Sequence, residues 1–171
     1  HAHIAFCILI SLFGIQAQAE TDKRLSVSND STHVKFQNHF YEALKQKALE
    51  NYSKAIDELV ICKSLSPNES VVFHELGINH FKQKQYDSAE FNFQKAIALE
   101  GANFWYRESL YHLYIDQKRF EEAILALQPL LVSHPDYKQD LANLYLEAGR
   151  YDDALTVLDD LDNTLGLNLS R

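Results

Sequence analysis

The chain has 171 residues, of which 46% are hydrophobic and 23% are charged, a composition typical of one folded domain or a short repeat array. Only five glycines and three prolines occur, which excludes collagen-like and low-complexity proteins. Sixteen basic and 24 acidic residues give a formal net charge of -8. This charge argues against nucleic acid as the main partner and against a polybasic membrane-binding patch.

The first 19 residues are predicted to be a signal peptide. Residues 4–15 are almost continuously apolar, but the run is shorter than the roughly 20 residues of a membrane-spanning helix. Ala17-Gln18-Ala19 then provides an A-x-A cleavage pattern before Glu20. The alternative is that this run is a buried helix of the fold. Cleavage would give an exported protein, periplasmic or secreted, with no direct membrane insertion.

Three further expectations concern the organisation of the chain. Residues 20–33 are rich in Ser, Thr and Asp and are predicted to form a flexible leader before a folded domain at 34–163. The sequence contains no methionine, so we expect a fragment of a longer protein in which residues 164–171 begin a further, truncated element. Cys62 would be the only cysteine after signal removal, and its position on an inner helix face favours a small buried hydrophobe.

An aromatic residue followed three positions later by alanine recurs along the chain. The four pairs are Tyr52/Ala55, Tyr86/Ala89, Phe120/Ala123 and Tyr151/Ala154, at steps of 34, 34 and 31 residues. Apolar residues stand four and seven positions beyond each alanine, so they share one helix face. A second helical pattern precedes each aromatic residue across a short polar turn. The sequence therefore predicts an all-α fold, a solenoid of about four helix-turn-helix hairpins that bury each other's apolar faces.

This pattern resembles the tetratricopeptide repeat (TPR) family over residues 36–163. The second unit carries the best match, with Phe73, Leu76, Gly77, His80, Tyr86, Ala89, Phe93 and Ala96 at the family's motif positions. His80 stands where the family usually has Tyr, and Gly101 where it usually has Pro. Tyr111 replaces the small Gly of the motif, which predicts looser packing in the third hairpin.

Several local departures from the repeat carry their own predictions. The first helix of the first unit, 36–47, matches poorly and is interpreted as a terminal repeat with one exposed side. The step of 31 residues predicts that the first helix of the fourth unit is short or offset. Pro67 and Pro135 are expected to end second helices, and Pro129, inside the predicted helix 121–132, predicts a bend.

No catalytic constellation is recognisable in the sequence. His74-Glu75 lacks a second histidine at the spacing of a zinc protease, and the glycines are too scattered for a phosphate-binding loop. We therefore expect no enzyme activity, no cofactor and no metal.

The resemblance implies that the first helices of the hairpins line a concave groove that holds a peptide or a partner helix. The predicted groove residues are Phe40, Leu44, His74, Ile78, Phe81, Trp105, Glu108, His112, Ile115, Asn143 and Leu146. Their apolar and aromatic character favours an amphipathic helix or an apolar peptide. Phe40, Leu44 and Ile78 replace the Lys and Asn of the family's carboxylate clamp, so that activity is not expected. The alternative is that these side chains are simply buried.

Three functions stay open at this point. The first is a scaffold that binds another protein or peptide. The second is the N-terminal periplasmic sensory or regulatory region of a longer signalling protein. The third is a substrate-positioning arm of an enzyme whose catalytic domain follows. A membrane-spanning or catalytic segment beyond residue 171 would distinguish the second and third functions from the first.

Overall fold

A computed structural model describes the backbone of residues 31–165 and the side chains of residues 31–163. The predicted signal peptide, most of the predicted leader and the element at 164–171, apart from the backbone of its first two residues, lie outside the described residues. The described chain is helical throughout and contains no strand. Its helices are α1 (31–48), α2 (Tyr52–Leu65), α3 (Ser70–Lys82), α4 (Tyr86–Leu99), α5 (Phe104–Asp116), α6 (Phe120–Leu127), α7 (Lys138–Glu147) and α8 (Tyr151–Leu165).

These helices pair in chain order into four hairpins, which confirms the predicted all-α solenoid within the described residues. Helix α1 already includes residues 31–33, which the sequence analysis placed in the leader. Ser31 and Thr32 belong to residue types that favour the first turn of a helix as readily as a loop, so composition alone did not separate the two.

The same turn joins the two helices of each hairpin. The backbone N–H of the residue before the second helix donates to a carbonyl five residues earlier: Asn51 to Gln46, Gln85 to His80, Arg119 to Tyr114 and Arg150 to Tyr145, at 2.7–2.9 Å. The residue directly before each donor has a positive φ, which is 59° at Glu50, 59° at Lys84, 56° at Lys118 and 74° at Gly149. This is the Schellman arrangement that satisfies the last carbonyls of a helix. The positive φ expected at Gly149 is confirmed.

The two residues that form this backbone hydrogen bond also interact through their side chains. Asn51 Nδ2 donates to Gln46 Oε1 at 3.0 Å, and His80 Nδ1 lies 2.6 Å from Gln85 Oε1. In the third and fourth hairpins the guanidinium groups of Arg119 and Arg150 lie 4.5 Å and 4.6 Å from the ring centroids of Tyr114 and Tyr145. The four turns therefore share a backbone geometry and differ in the chemistry of one side-chain pair.

Small residues allow the hairpins to approach closely. Ala55, Ala89, Ala123 and Ala154 are all 0% exposed. The aromatic residues three positions earlier, Tyr52, Tyr86 and Phe120, are half-buried, whereas Tyr151 is 65% exposed in the last hairpin. The lone cysteine of the described chain, Cys62, is buried as predicted, and burial raises the pKa of its thiol to about 11.

The contact between the two helices of a hairpin is formed by different side chains in the second and third hairpins. A Cβ at Gly77 would lie 2.5 Å from the ring of Phe93, so only glycine fits there. At the equivalent position of the third hairpin, Tyr111 is 4% exposed, and Leu127 replaces Phe93. Burial raises the pKa of Tyr111 to about 12.

The predicted helix 121–132 does not continue through Pro129. Helix α6 ends at Leu127, and Gln128–Leu130 form a 3-10 turn with the proline in its first turn. Proline lacks the N–H of an interior helical bond and clashes with the carbonyl four residues earlier, so the α-helix ends before it. The bend expected there stays a prediction. Pro135 begins the next 3-10 turn, and α7, with 10 residues, is short as the shortened repeat predicted.

Candidate functional site

The first-helix face is the surface of α1, α3, α5 and α7 that carries the eleven predicted groove residues. Four of them are exposed in the structure. Trp105 is 64% exposed and Leu146 is 44% exposed, and His112 and Asn143 are also exposed. All four lie on α5 and α7. The Tyr137 hydroxyl, just before α7, joins these helices by donating to the carboxylate of Glu108 on α5.

Five apolar members of the set are half-buried. Phe40 stacks on Phe36 with ring centroids 5.8 Å apart and packs on the core between the first two hairpins. Ile78, Phe81 and Ile115 pack on the larger core of the last three hairpins. Leu44 is half-buried as well. For these residues the alternative of burial therefore applies to a large part of the side chain.

His74 lies between two hairpins. Its ring is 4.6 Å from that of Tyr106 and 5.7 Å from that of Phe93, and Nε2 is 2.8 Å from Ser109 Oγ on α5. Burial, with a smaller contribution from Lys47, lowers the pKa of His74 to about 4. The imidazole is therefore neutral at physiological pH and holds α3 against α5.

Glu108 also links two hairpins, because it connects α5 to the residue before α7. It accepts a hydrogen bond from Tyr137, and this bond raises the pKa of the tyrosine well above its usual value. His112 Nε2 lies 4.0 Å from Glu108 Oε1. The carboxylate is 20% exposed. It therefore contributes negative charge beside Trp105 and His112 while its position is held by Tyr137.

Ion pairs that the sequence analysis missed link successive hairpins. Lys47 Nζ lies 2.6 Å from Glu75 Oε2 and joins α1 to α3. On the opposite surface, Arg119 pairs with Glu90. The partners are 28 and 29 residues apart in sequence, close to one repeat length, and this spacing was the signal that could have identified them.

A second concavity, also missed, lies between the second helices α4 and α6, above α5. We refer to it as the second-helix cleft. Its volume is about 350 Å³, and its lining is Gln94, Ile97, Ala98, Arg107, Leu110, Tyr114, Glu122, Leu125 and Ala126. Leu125 is 67% exposed on its wall. An exposed leucine on the outer side of a second helix was the available sequence signal for this cleft.

Two searches of the described residues gave negative results. Among residues 31–163, no group of three or more His, Cys, Asp or Glu side chains is placed to hold a metal ion. No helix in the described part of the chain combines the length and apolar character needed to cross a bilayer.

Solved structures with the same arrangement of hairpins cover most of the chain. A crystal structure of MamA has a TM-score of 0.66 and 17% identity, over 80% of this chain and 78% of MamA. A chain in the structure of Naa15/Naa10 bound to HypK-THB has a TM-score of 0.61 and 19% identity, over 71% of this chain and 19% of that one. An O-GlcNAc transferase of Thermobaculum terrenum has a TM-score of 0.57 and 20% identity, over 68% of this chain and 22% of that one.

The sequence comparisons were negative. No protein-family model matches the chain, and a search of curated proteins finds no significant match. The chain spans about a fifth of the length of the matched Naa15/Naa10 and O-GlcNAc transferase chains. At these identities the structural similarity shows the fold alone. Residues 31–165 have a TPR-like fold, an all-α solenoid of helix-turn-helix hairpins.

Proposed function

We propose that this chain is a protein-interaction scaffold that holds a peptide or a partner helix on its first-helix face. The observation that carries the proposal is Trp105, which is 64% exposed although its neighbours Phe104 and Tyr106 are half-buried and buried. An exposed indole is costly in water, and tryptophan is among the residues most enriched at the energetic centres of protein interfaces. The structure of Naa15/Naa10 bound to HypK-THB is a precedent for a similar fold within a protein complex.

The surroundings of Trp105 define the kind of partner. His112 lies seven residues further along α5, two helical turns away and on the same side. Asn143 and Leu146 are exposed on the neighbouring α7. The surface therefore combines two apolar side chains with hydrogen-bonding groups and the carboxylate of Glu108. An amphipathic helix with a narrow apolar stripe and flanking polar groups fits this pattern.

Electrostatics favour a cationic partner. The formal net charge of the chain is -8, and complementary charge increases association rates and selects among partners. A basic side chain of the partner helix would approach Glu108, while its apolar side chains contact Trp105 and Leu146.

The experiment compares Trp105→Ala with Leu125→Ala, two exposed side chains on opposite surfaces. Proteins retained by the immobilised wild-type chain after mild cross-linking are compared with those retained by each variant. We expect a defined partner to be kept by wild type and Leu125→Ala and lost by Trp105→Ala. Equal retention by Trp105→Ala would contradict the proposal.

The isolated partner then allows a direct measurement. Trp105 is the only tryptophan of the chain, so its fluorescence reports on this surface alone if the partner contains no tryptophan. Saturating binding should shift the emission to shorter wavelength, because the indole leaves water. An unchanged spectrum at saturation would place the partner elsewhere.

A further inference from the structure

The last hairpin leaves one side of its second helix uncovered within the described residues. In each of α2, α4 and α6, three positions face the following hairpin. The third of these positions is occupied by Leu59, Phe93 and Leu127, which are 0–1% exposed. The equivalent positions of α8 are Tyr151, 65% exposed, Leu155, 58% exposed, and Leu158, half-buried. These residues recur every three to four positions and form one stripe. We refer to it as the downstream face of α8.

The first hairpin is open on its opposite side. Asn79, Leu113 and Leu144, on helices flanked by a preceding hairpin, are 0–4% exposed, whereas the equivalent Lys45 of α1 is exposed. Tyr41, one turn earlier, is 72% exposed, and Leu49, one turn later, is 59% exposed. We refer to Tyr41, Lys45 and Leu49, the last of them just beyond the end of α1, as the upstream face of α1.

In the second and third hairpins, the residues equivalent to Tyr41 contact the preceding hairpin. Its equivalents in the second and third hairpins are Glu75 and Ser109. Glu75 pairs with Lys47 of the first hairpin, and Ser109 bonds His74 of the second. On α3 and α5, the surface equivalent to the upstream face of α1 therefore contacts the preceding hairpin.

The two open faces have opposite charge. Helix α8 contains five aspartates and no basic residue, whereas the described part of α1 contains three lysines, two histidines and one glutamate. Asp153 and Asp160 are paired within the chain, with Arg150 and Lys138. On α1, Lys47 pairs with Glu75, and Lys45 makes only an exposed pair with Glu42 of the same helix at 3.1 Å, a kind of pair that contributes little and can exchange partners. Asp152, Asp159 and Asp162 flank the apolar stripe of α8, and Lys45 lies between Tyr41 and Leu49 on α1. Opposite charges of this kind set the register of a contact and suppress wrong pairings.

We propose that the partner of the downstream face of α8 is a second copy of this chain, docked through the upstream face of its α1. The contact repeats between molecules the hairpin-to-hairpin contact that exists within one. Apolar side chains from both faces leave water, and Lys45 of one copy lies among the free aspartates of the other. A head-to-tail contact uses two different surfaces, so it does not close on itself and adds further copies in a row. The first-helix face takes no part in it.

Sedimentation and light scattering of the full chain over a range of concentrations test the proposal. The mass should rise above the 19.7 kDa of one chain. Leu155→Glu and Tyr41→Glu should each reduce the mass to that of a monomer. Mixing the two variants should give a 1:1 dimer that grows no further, because one variant keeps its α1 face and the other its α8 face.

Folding and specificity are controlled separately. Both substituted side chains are more than half exposed, and circular dichroism confirms the helical content of each variant. Leu125→Glu, at an equally exposed leucine outside the two faces, should leave the assembly intact. A monomeric wild type at all concentrations would overturn the proposal. So would assembly that persists in both variants, a mixture that forms no dimer, or dissociation by Leu125→Glu.

Discussion

Single side chains in this molecule are constrained by partners one repeat away. His74, Glu108 and Lys47 each contact residues 28 to 35 positions away along the chain. Gly77 is constrained by Phe93 in the facing helix. Such residues hold the hairpins in register, and substitution of His74, Lys47 or Gly77 is expected to change stability more than binding.

Gly77→Ala is predicted to destabilise the fold by roughly 1–3 kcal/mol, the usual cost of overpacking a core. The added Cβ would lie 2.5 Å from the ring of Phe93. The free energy of unfolding from urea titrations measures the effect.

The double variant Gly77→Ala/Phe93→Leu is the control for that prediction. It imitates the third hairpin, where Leu127 replaces the phenylalanine. Its destabilisation should be smaller than the sum of the two single effects, because the smaller side chain removes the clash. Simple additivity would show that the Cβ contact is not the cause.

His74 predicts a loss of stability at acidic pH. Its pKa is about 4 in the folded state and about 6.5 in the unfolded chain. The unfolded state therefore binds more protons between these values, and the free energy of unfolding falls as pH drops from 6.5 to 4. The contribution is roughly 2–3 kcal/mol. Urea titrations at several pH values measure it.

Two glutamine variants test this assignment. His74→Gln should flatten the dependence of unfolding free energy on pH between 6.5 and 4. His112→Gln, at an exposed histidine of α5, should keep the wild-type slope. A wild-type slope in His74→Gln would assign the pH dependence to another group.

At the scale of the element, the four turns between paired helices share one geometry with different residues. Three of the four positive-φ positions carry Glu50, Lys84 and Lys118, and only the last carries glycine. A left-handed conformation costs a residue with a Cβ about 1–2 kcal/mol. The side-chain pairs across each turn help to hold these conformations.

Opposite substitutions at two turns should have opposite effects. Gly149→Ala should destabilise the fold by about 1 kcal/mol, and Lys118→Gly should stabilise it by a smaller amount, because glycine also loses more backbone entropy on folding. Thermal unfolding of the two variants gives the comparison. A loss of stability in both would show that the Lys118 side chain contributes more than its strain costs.

The elements were also where sequence reasoning was partly wrong. The helix expected over 121–132 ends at Leu127, two residues before Pro129. A proline specifies that the helical hydrogen-bond pattern is interrupted. Whether the chain then bends or changes to a 3-10 turn depends on the following segment, here shortened by three residues relative to the other repeats.

At the scale of the whole molecule, the stack formed by residues 31–163 has two unequal end faces and two further exposed surfaces. The first-helix face carries Trp105, and the second-helix cleft is walled by Leu125. The end faces are α1, which is basic, and α8, which is acidic. A scaffold that joined copies end to end would present its first-helix faces in a row, so that one extended partner could contact several of them.

Export is a prediction for the intact chain. We propose that residues 1–19 are removed and that the mature protein begins at Glu20, because Ala17-Gln18-Ala19 follows an apolar run of signal-peptide length. Expression in a host that exports the protein, followed by N-terminal sequencing of the exported chain, measures the cleavage point. A chain that keeps residues 4–15 would contradict the prediction.

The repeat pattern was sufficient to predict the architecture. Ala55, Ala89, Ala123 and Ala154 define the repeat in the sequence, and all four are fully buried. The candidate site was predicted less well. Trp105 and Leu146 are exposed as expected, but His74 and Glu108 are held between hairpins, and the second-helix cleft was not foreseen.

The difference has a physical reason. The sequence by itself determined the hairpins and the faces they bury, because the spacing of apolar residues along a helix dictates which side leaves water. Only the tertiary structure decided which polar and aromatic side chains stay accessible. Their burial depends on partners a full repeat away, such as Ser109 for His74 and Tyr137 for Glu108, and local periodicity contains no information about those contacts.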